Sequence, residues 1–415
     1  MSQEGIRRAL WLGLCAATAA ASAEQGVTEK SVRVGERSAF SGPSAGLGIE
    51  LWRGAQAAFL AANDAGGVHG RRIEYVVADD GYDAEQAAPA AIRLLQGNGV
   101  FVLFGGVGTP TILKVLPVVL RRHASDGLIQ FANFTGAQPQ REPPYDKVVL
   151  NIRASYRQET RAMVDAFVAM GRKRIGIFVQ DDAYGASGRD GVRRALAGHS
   201  LQIAADTSYP RLQTYETRTA MQVKLLRDAG VDAVIAVGSY QPCAALVRDA
   251  RNSGWDVPIH NLSFVGADQM LDQLRREPNA ARLVKNLLVT QVVPPISDTS
   301  LPLVRDYRAA MDRYDPVVPR GVGDQSYRPA TRYSFGSLEG FLNARALLAV
   351  LNKAGPNLTR KGFLAAAESM GKFDLGVGAP AELSATRHQA LDKVWFTYAT
   401  MGGWQGVENP AGVIQ

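Results

Sequence analysis

Cysteine is scarce in this chain, with two among 415 residues, Cys15 and Cys243. Cys15 lies in an N-terminal segment that has the features of a cleaved signal peptide, so a single cysteine remains afterwards. This excludes an intrachain disulfide, and the hydrophobic cores alone must hold the fold together. We expect Cys243 to be a small buried hydrophobic residue rather than a reactive thiol.

Patterns typical of metal, cofactor and nucleic-acid sites are also missing. The five histidines are isolated, without H-x-x-x-H spacing or cysteine pairs, so no metal site is expected. No G-x-G-x-x-G opens the first βαβ unit, which argues against a dinucleotide, and no cofactor is expected. The net charge is +7, but there is no basic run with interleaved aromatics, so nucleic acid is not expected as a partner. The histidines are His69, His123, His199, His260 and His388.

Long apolar runs are absent after the N-terminus. Arg7 and Arg8 precede an apolar stretch from residue 9 to 21, and Ala21-Ser22-Ala23 fits a small-residue cleavage site. We expect residues 1–23 to be a signal peptide and the mature protein to be exported and periplasmic. Lipid anchoring through Cys15 is not expected, because Leu14 does not fit a lipobox.

The length suggests two domains, and the pattern alternates strand and helix along most of the chain. Such alternation indicates βαβ units, parallel sheets and an α/β fold. Predicted strands of the first series are 32–40, 71–80, 100–106 and 127–133, with helices at 50–67, 84–99 and 109–122. A second series has strands at 147–154, 174–182, 201–209, 232–239 and 258–264, with helices at 157–170, 185–197, 214–229 and 242–253. Strands at 286–295 and 393–400 and helices at 301–314 and 333–355 follow a break in the repeat.

A glycine-rich turn joins an apolar strand to a helix in "FVLFGGVGTPTILKVLPVV", from Phe101 to Val119. Backbone N–H groups and the helix dipole make such a turn suitable for an anion. Phosphate, carboxylate and no ligand at all remain open on this pattern alone. A nucleotide phosphate loop is disfavoured, because Pro110-Thr111 stands where Gly-Lys-Ser/Thr would follow.

The start of the predicted mature chain is similar to a known family. The stretch "SGPSAGLG", an amphipathic helix ending in "NDAGGVHG", and the strand "IEYVVADD" resemble the solute-binding proteins of branched-chain amino acid ABC transporters. These are type I periplasmic binding proteins, and the resemblance extends over nearly the whole mature chain, including "RKRIGIFVQDDAYGASGRDGVRRAL".

The resemblance implies two Rossmann-like lobes joined by three crossovers that form a hinge. On this basis lobe 1 comprises residues 27–149 and 291–390, and lobe 2 comprises residues 150–290 and 391–415. A small ligand would bind in the cleft between them, beyond the carboxyl ends of the strands.

The resemblance also implies site residues. The ligand's carboxylate would lie at Gly108 and Thr109 and at Phe134 and Thr135, held by backbone N–H groups and hydroxyls. The remainder of the ligand would contact four further residues, Leu47, Tyr184, Tyr240 and Phe264. A glycine turn needed only for packing, and tyrosines that are merely half-buried, are the structural alternatives.

One position departs from the family pattern. Members that bind leucine-like amino acids place a glutamate on the ligand's ammonium, and here Phe264 falls at that position. A buried ammonium without a carboxylate is strongly disfavoured, so an amide or an aromatic or apolar acid competes with an ordinary amino acid. Asp268 is a substitute partner, whereas Glu339 is expected to favour the dipole at the start of its helix.

The resulting expectation is a monomeric, non-enzymatic binding protein that delivers a small ligand to ABC permease subunits. A ligand-sensing component of a signalling system is the alternative with the same fold. "GPSAG" at 42–46 matches the G-x-S-x-G of serine hydrolases, but it lies within the family turn and Pro43 constrains the residue before Ser44. Catalysis by Ser44 is therefore not expected.

Overall fold

Two main β-sheets follow each other along the chain. The computed structural model describes residues 24–414, and the predicted signal peptide at residues 1–23 lies outside the described residues. The first sheet is parallel, in the order β2-β1-β3-β4-β5. Its strands are β1 (Ser31–Ser38), β2 (Arg72–Asp79), β3 (Val102–Phe104), β4 (Gln130–Phe131) and β5 (Val149–Leu150).

The second sheet has five parallel strands and two antiparallel ones. Its order is β14-β13-β10-β9-β8-β6-β7. The parallel strands are β6 (Ile175–Gln180), β7 (Ala205–Tyr209), β8 (Ala233–Val237), β9 (Ile259–Asn261) and β10 (Leu287–Gln291). The antiparallel strands are β13 (Trp395–Thr400) and β14 (Gly403–Val407). A separate hairpin consists of β11 (Gly371–Asp374) and β12 (Pro380–Leu383).

The parallel parts of both sheets have the same topology. Numbered by their order in the chain, the strands lie in space as 2-1-3-4-5 in each. In open sheets of this kind, ligands bind beyond the carboxyl ends of the strands where the winding direction reverses. That point lies between β1 and β3 in the first sheet and between β6 and β8 in the second.

Helices cover both sheets, since parallel strands buried on both faces require them. The helices that follow strands of the first sheet are α1 (Ala45–Asp64), α2 (Ala84–Gln96) and α3 (Thr109–Asp126). Those of the middle region are α4 (Tyr156–Ala169), α5 (Ala183–Ala197), α6 (Ala220–Asp228), α7 (Tyr240–Asn252), α8 (Ala267–Arg275) and α9 (Ala280–Leu283). The last three are α10 (Pro302–Tyr314), α11 (Phe335–Ala354) and α12 (Arg360–Glu368).

Helix α11 returns to the first sheet by packing closely on α1. A Cβ placed on Gly54 would lie 1.7 Å from the carbonyl oxygen of Ser337, and one on Gly340 would lie 1.9 Å from that of Leu51. Only glycine permits this approach of the two backbones. The contact places the start of α11 beside the carboxyl ends of the first sheet's strands.

Several predicted elements differ from the structure. The helix predicted from Thr214 begins at Ala220, and the strand predicted from Leu201 begins at Ala205. Helices α8, α9 and α12, the β11–β12 hairpin and strand β14 were not predicted. The second sheet is also mixed rather than wholly parallel, because the last two strands run antiparallel to β10.

Cys243 is fully buried and unpaired, as the sequence predicts. Burial raises the pKa of its thiol well above the usual range, so the side chain behaves as a small hydrophobic group. Within residues 24–414, no helix is both long and apolar enough to cross a bilayer.

Candidate functional site

The glycine turn after β3 starts helix α3 and exposes its first N–H groups. Gly108 is the N-cap with φ of 101°, in the region that favours glycine. The first helical bond is donated by the Ile112 N–H to the Gly108 carbonyl at 3.1 Å. The N–H groups of Thr109 and Thr111 therefore precede the helical ladder and point along the positive end of the helix dipole.

A second turn, after β4, is joined to the first. The Phe134 N–H donates to the Gly106 carbonyl at 3.0 Å, and the Gly108 N–H donates to the Phe134 carbonyl at 3.2 Å. The hydroxyls of Thr109 and Thr135 are hydrogen-bonded to each other at 2.8 Å, and both side chains are buried. The structure thus brings all four residues predicted for the anion into one cluster.

Phe264 lies at the centre of an aromatic group between the two sheets. Its ring centroid is 4.5 Å from that of Tyr184 and 5.4 Å from that of Phe134. Tyr156 adds to the group at 5.2 Å from Tyr184. Tilted rings at these separations are mutually attractive, and the side chains come from both sheets.

Tyr82 is a further member that the sequence analysis missed. Its ring centroid is 6.2 Å from that of Phe264, and a Cβ on Gly108 would lie only 2.2 Å from Tyr82 Cε2. Its φ of 59° is rare for a bulky residue and typical of functional turns. Its place directly after β2, at the same sheet edge as the predicted residues, is the signal that could have indicated it.

Two residues near the second sheet, Gln180 and Arg211, contact Tyr82. The Gln180 side-chain amide donates to the Tyr82 hydroxyl at 3.1 Å. The Arg211 guanidinium lies 4.5 Å from the centroid of the Tyr82 ring, a cation–π distance. Asp182 caps α5 by accepting hydrogen bonds from the N–H groups of Tyr184 and Gly185.

Leu47 and Tyr240 form an adjoining group around Gly266. A Cβ on Gly266 would lie 2.6 Å from Leu47 Cδ2 and 3.2 Å from Tyr240 Cδ1. Leu47 and Phe134 line one cavity of about 10 Å³ between the sheets, roughly the space of one water. The structure therefore places the eight predicted site residues in three neighbouring groups: the cluster of the two turns, the aromatic group and the group around Gly266. Their side chains fill the cleft between the lobes.

A buried charge cluster forms the back of this cleft. Arg153 donates to Glu159 at 2.8 Å and to Glu339 at 3.2 Å, and it also donates to the Ser263 hydroxyl. Burial raises the pKa of Glu339 to about 7, against the opposing effect of Arg153. The two carboxylates form ion pairs with one guanidinium, and Arg141 also favours the charged form of Glu339.

The structure shows the surroundings of Glu339 and Asp268, the two carboxylates considered in the sequence analysis. Glu339 is 3% exposed and lines the cavity, so its function is not limited to the helix dipole. Asp268 accepts a hydrogen bond from the Phe335 N–H at 2.8 Å at the start of α11, and burial raises its pKa to about 7. Asp80 is buried and pairs with Arg37 at 3.1 Å. Neither Arg153 nor Glu159 was predicted from the sequence as a site residue.

A hydrolase with Ser44 as its nucleophile needs a histidine partner, but His199, His260 and His388 have other contacts. His199 contacts Asp165 at 2.6 Å, and His388 contacts Glu368 at 3.1 Å. Burial lowers the pKa of His260 to about 3, which keeps its ring neutral. In the part of the chain that the structure describes, no group of three or more His, Cys, Asp or Glu side chains is arranged for a metal ion.

A two-lobed α/β fold with a candidate site at the switch points of both sheets is typical of one class of ligand-binding proteins. The model of the family described as periplasmic binding protein matches residues 31–403. The chain therefore belongs to the periplasmic binding protein family, which is non-enzymatic. This confirms the predicted fold class and the resemblance.

Individual relatives agree with this assignment. A possible leucine/isoleucine/valine-binding protein from Rhodopirellula baltica SH 1 is 33% identical, with a TM-score of 0.82 and coverage of 93% of this chain and 98% of that chain. An amino acid binding protein from Pseudomonas aeruginosa is 23% identical over 79% of each sequence. A fatty acid ABC transporter substrate-binding protein from Thermomonospora curvata shares the fold at 24% identity, with a TM-score of 0.76 and coverage of 94% and 96%.

Proposed function

We propose that this protein is the extracytoplasmic binding component of an ABC importer and that its lobes close over a small carboxylate-bearing ligand with an apolar body. The observation that carries the proposal is the pair of buried hydroxyls, Thr109 and Thr135, 2.8 Å apart at the start of α3. An anion at this position would meet a helix N-terminus and two hydroxyl donors.

The aromatic group supports an apolar ligand body. Phe134, Tyr184 and Phe264 are all buried and come from turns after strands of both sheets. Opening of the lobes would separate these rings, and a ligand would replace the contacts that they make with each other. Aromatic and aliphatic acids have both an anion and an apolar body, and so have the amino acids and fatty acids named for two of the relatives.

The buried charge cluster of Arg153, Glu159 and Glu339 would provide a carboxylate for an amino group of the ligand. Phe264 supplies no carboxylate, but Glu339 lines the same cavity as Phe134. Because Glu159 and Glu339 share Arg153, a ligand ammonium near Glu339 would balance the second carboxylate. We therefore include amino acids and amides with simple acids in the proposed ligand class.

The lobe boundaries, location and partners belong to the same proposal. Lobe 1 would comprise residues 27–149 and 291–390, and lobe 2 residues 150–290 and 391–415. The ends of β5 at Leu150 and β10 at Gln291 support two of these boundaries. We propose that the exported protein is a periplasmic monomer that meets ABC permease subunits in the membrane.

A thermal-shift screen of residues 24–415 tests the proposal. The panel contains aliphatic acids, aromatic acids, their amides, short peptides and zwitterionic amino acids. A ligand that binds only the folded protein raises the melting temperature through RT ln(1 + [L]/Kd). We expect a saturable rise with carboxylates, and no rise with any acid, amide or amino acid would contradict the proposed function.

A further inference from the structure

A second cavity, of about 320 Å³, lies beside the hinge rather than between the lobes. One wall is formed by Asn151 and Ser155, which follow β5 at the first predicted crossover. The opposite wall is formed by the segment 385–389, which precedes the third predicted crossover. None of these lining residues belongs to the cleft site described above.

The two crossover segments are hydrogen-bonded to each other next to this cavity. The Asn151 N–H donates to the His388 carbonyl at 2.7 Å, and the Ala390 N–H donates to the Asn151 carbonyl at 2.9 Å. The Leu391 N–H donates to the Ile152 carbonyl at 3.0 Å. An occupant that contacts both walls would therefore brace the segments that must bend when the lobes move.

The charges around the cavity favour an anion. Arg141 donates to the Gln389 side chain at 2.8 Å and to the Ala137 carbonyl at 2.7 Å, and no carboxylate among the described residues pairs with it. Burial and the neighbouring Arg153 lower the pKa of Arg141 to about 9, and they outweigh the opposing effects of Glu159 and Glu339.

The other charged residues that line the cavity do not cancel its positive charge. Arg387 is paired with Asp392 at 2.7 Å. Of the residues that line the cavity, Lys147, whose ammonium donates to the Ala385 carbonyl at 3.3 Å, and Arg141 then lie with one carboxylate, that of Asp146. The N-terminus of α4 adds partial positive charge, because its N-cap Ser155 lines the cavity.

We propose that this cavity binds a small hydrophilic oxyanion, a carboxylate or a phosphate, and that the bound anion stiffens the hinge. Arg141 and Lys147 hold the charge. The side-chain amides of Asn151 and Gln158 donate to the His388 carbonyl and to Asp392, and the second N–H of each amide hydrogen-bonds a remaining oxygen of the anion. The site is independent of the ligand that the cleft takes.

Thermal shift and calorimetry with citrate and with inorganic phosphate, each against sodium chloride of equal ionic strength, test this proposal. We expect saturable binding of at least one of the two anions, and the anion that binds identifies the source. Lys147→Glu should weaken it by about tenfold or more, as expected for a lost charge-assisted hydrogen bond. Lys372→Glu, a change at another exposed lysine, should leave the affinity unchanged.

Hydrogen exchange distinguishes a hinge site from general charge screening. The bound anion should slow exchange of the Asn151, Ala390 and Leu391 amides, which connect the crossovers. No saturable binding of either anion, equal weakening by both lysine changes, or unchanged exchange at these three amides would overturn the proposal.

Discussion

The side chains of Thr109 and Thr135 are buried, and their hydroxyls are hydrogen-bonded to each other at 2.8 Å. Either hydroxyl can be the donor in this hydrogen bond. A carboxylate between them would receive both protons. Each Thr→Ala change should weaken binding of a carboxylate found in the screen by about 1–2 kcal/mol, the cost of one hydrogen bond to a charged group. Calorimetry measures this loss.

Thr397→Ala is the matched control for these two changes. Its buried hydroxyl donates to the Val289 carbonyl within the second sheet, so its loss should lower stability and leave affinity unchanged. Unaltered affinity in both Thr109→Ala and Thr135→Ala would contradict the assignment of the anion site.

Glu339 gives the protein a predicted pH dependence. Burial raises its pKa from 4.5 to about 7 in the folded state. Between about pH 4.5 and 7, the Glu339 carboxyl is therefore protonated in the folded protein and ionised in the unfolded chain. The contribution of this group to stability is full below about pH 4.5 and falls as the pH rises to about 7. Over that range, the free energy of unfolding of the wild type should fall by up to about 1.4 kcal/mol per pH unit more than that of Glu339→Gln.

Urea unfolding at a series of pH values measures this difference. Glu216→Gln is the control of opposite sign, because hydrogen bonds with its own backbone and Thr214 lower the pKa of Glu216. Its replacement should remove a constant contribution to stability above about pH 4.5, and the pH dependence should differ from that of the wild type only below about pH 4.5. Parallel curves for wild type and Glu339→Gln between pH 4.5 and 7 would contradict the raised pKa.

At the scale of residues, the sequence predicts those site residues whose position depends on their neighbours in the chain. Thr109 follows a glycine turn after a strand, so both its exposure to a ligand and its helix can be inferred from neighbouring residues. Arg153 has no such local pattern, and Tyr82 has only its position after β2. Their significance arises from Glu339 and Phe264, which are remote in the sequence and meet them only in the folded chain.

At the scale of elements, long apolar strands and amphipathic helices were predictable, but some boundaries depended on tertiary contacts. Helix α6 begins later than its pattern predicts because Arg248 of α7 bonds the carbonyls of Tyr215 and Thr217. A helix starting at Thr214 would use those carbonyls itself. Asp249 also accepts from the Thr219 N–H at 2.6 Å and fixes the turn.

The start of α3 provides an element-scale prediction. Gly108 and Gly66 have similar positive φ values, 101° and 99°, but a Cβ on Gly66 meets nothing within 4 Å, whereas one on Gly108 overlaps the Tyr82 ring. Gly66→Ala should cost only backbone strain of about 1–2 kcal/mol. Gly108→Ala should cost about 1–3 kcal/mol more, because of overpacking.

Denaturant unfolding of both variants measures the two costs. Adding Tyr82→Ala to Gly108→Ala should recover part of the extra loss, and the same addition to Gly66→Ala should recover nothing, since coupling is confined to groups in contact. Equal losses in Gly108→Ala and Gly66→Ala would show that Tyr82 does not cover the glycine turn.

At the scale of the whole molecule, the alternation of strands and helices predicted the α/β class, and the family comparison confirms it. The strand order could not follow from periodicity, because it depends on which sheet edge each crossover reaches. The return of β13 and β14 as antiparallel strands beside β10 is an example. Their pairing joins residues near 290 and 400, and no local pattern specifies that contact.

The central claim is that one ligand is enclosed between two lobes, and an engineered crosslink tests it most directly. A Cβ on Gly46 would lie 3.1 Å from Gln269 Cγ across the cleft, within reach of a disulfide between Gly46→Cys and Gln269→Cys. Cys243 is fully buried and does not compete, and Gly46→Cys alone under the same oxidant is the control.

The measurement is binding of the carboxylate found in the screen, with the disulfide formed either before or after the ligand is added. Oxidation first should abolish binding, oxidation second should retain the ligand through gel filtration, and reduction should restore exchange in both cases. Equal affinity of the oxidised and reduced double variant, with free ligand exchange in both, would contradict enclosure between the lobes.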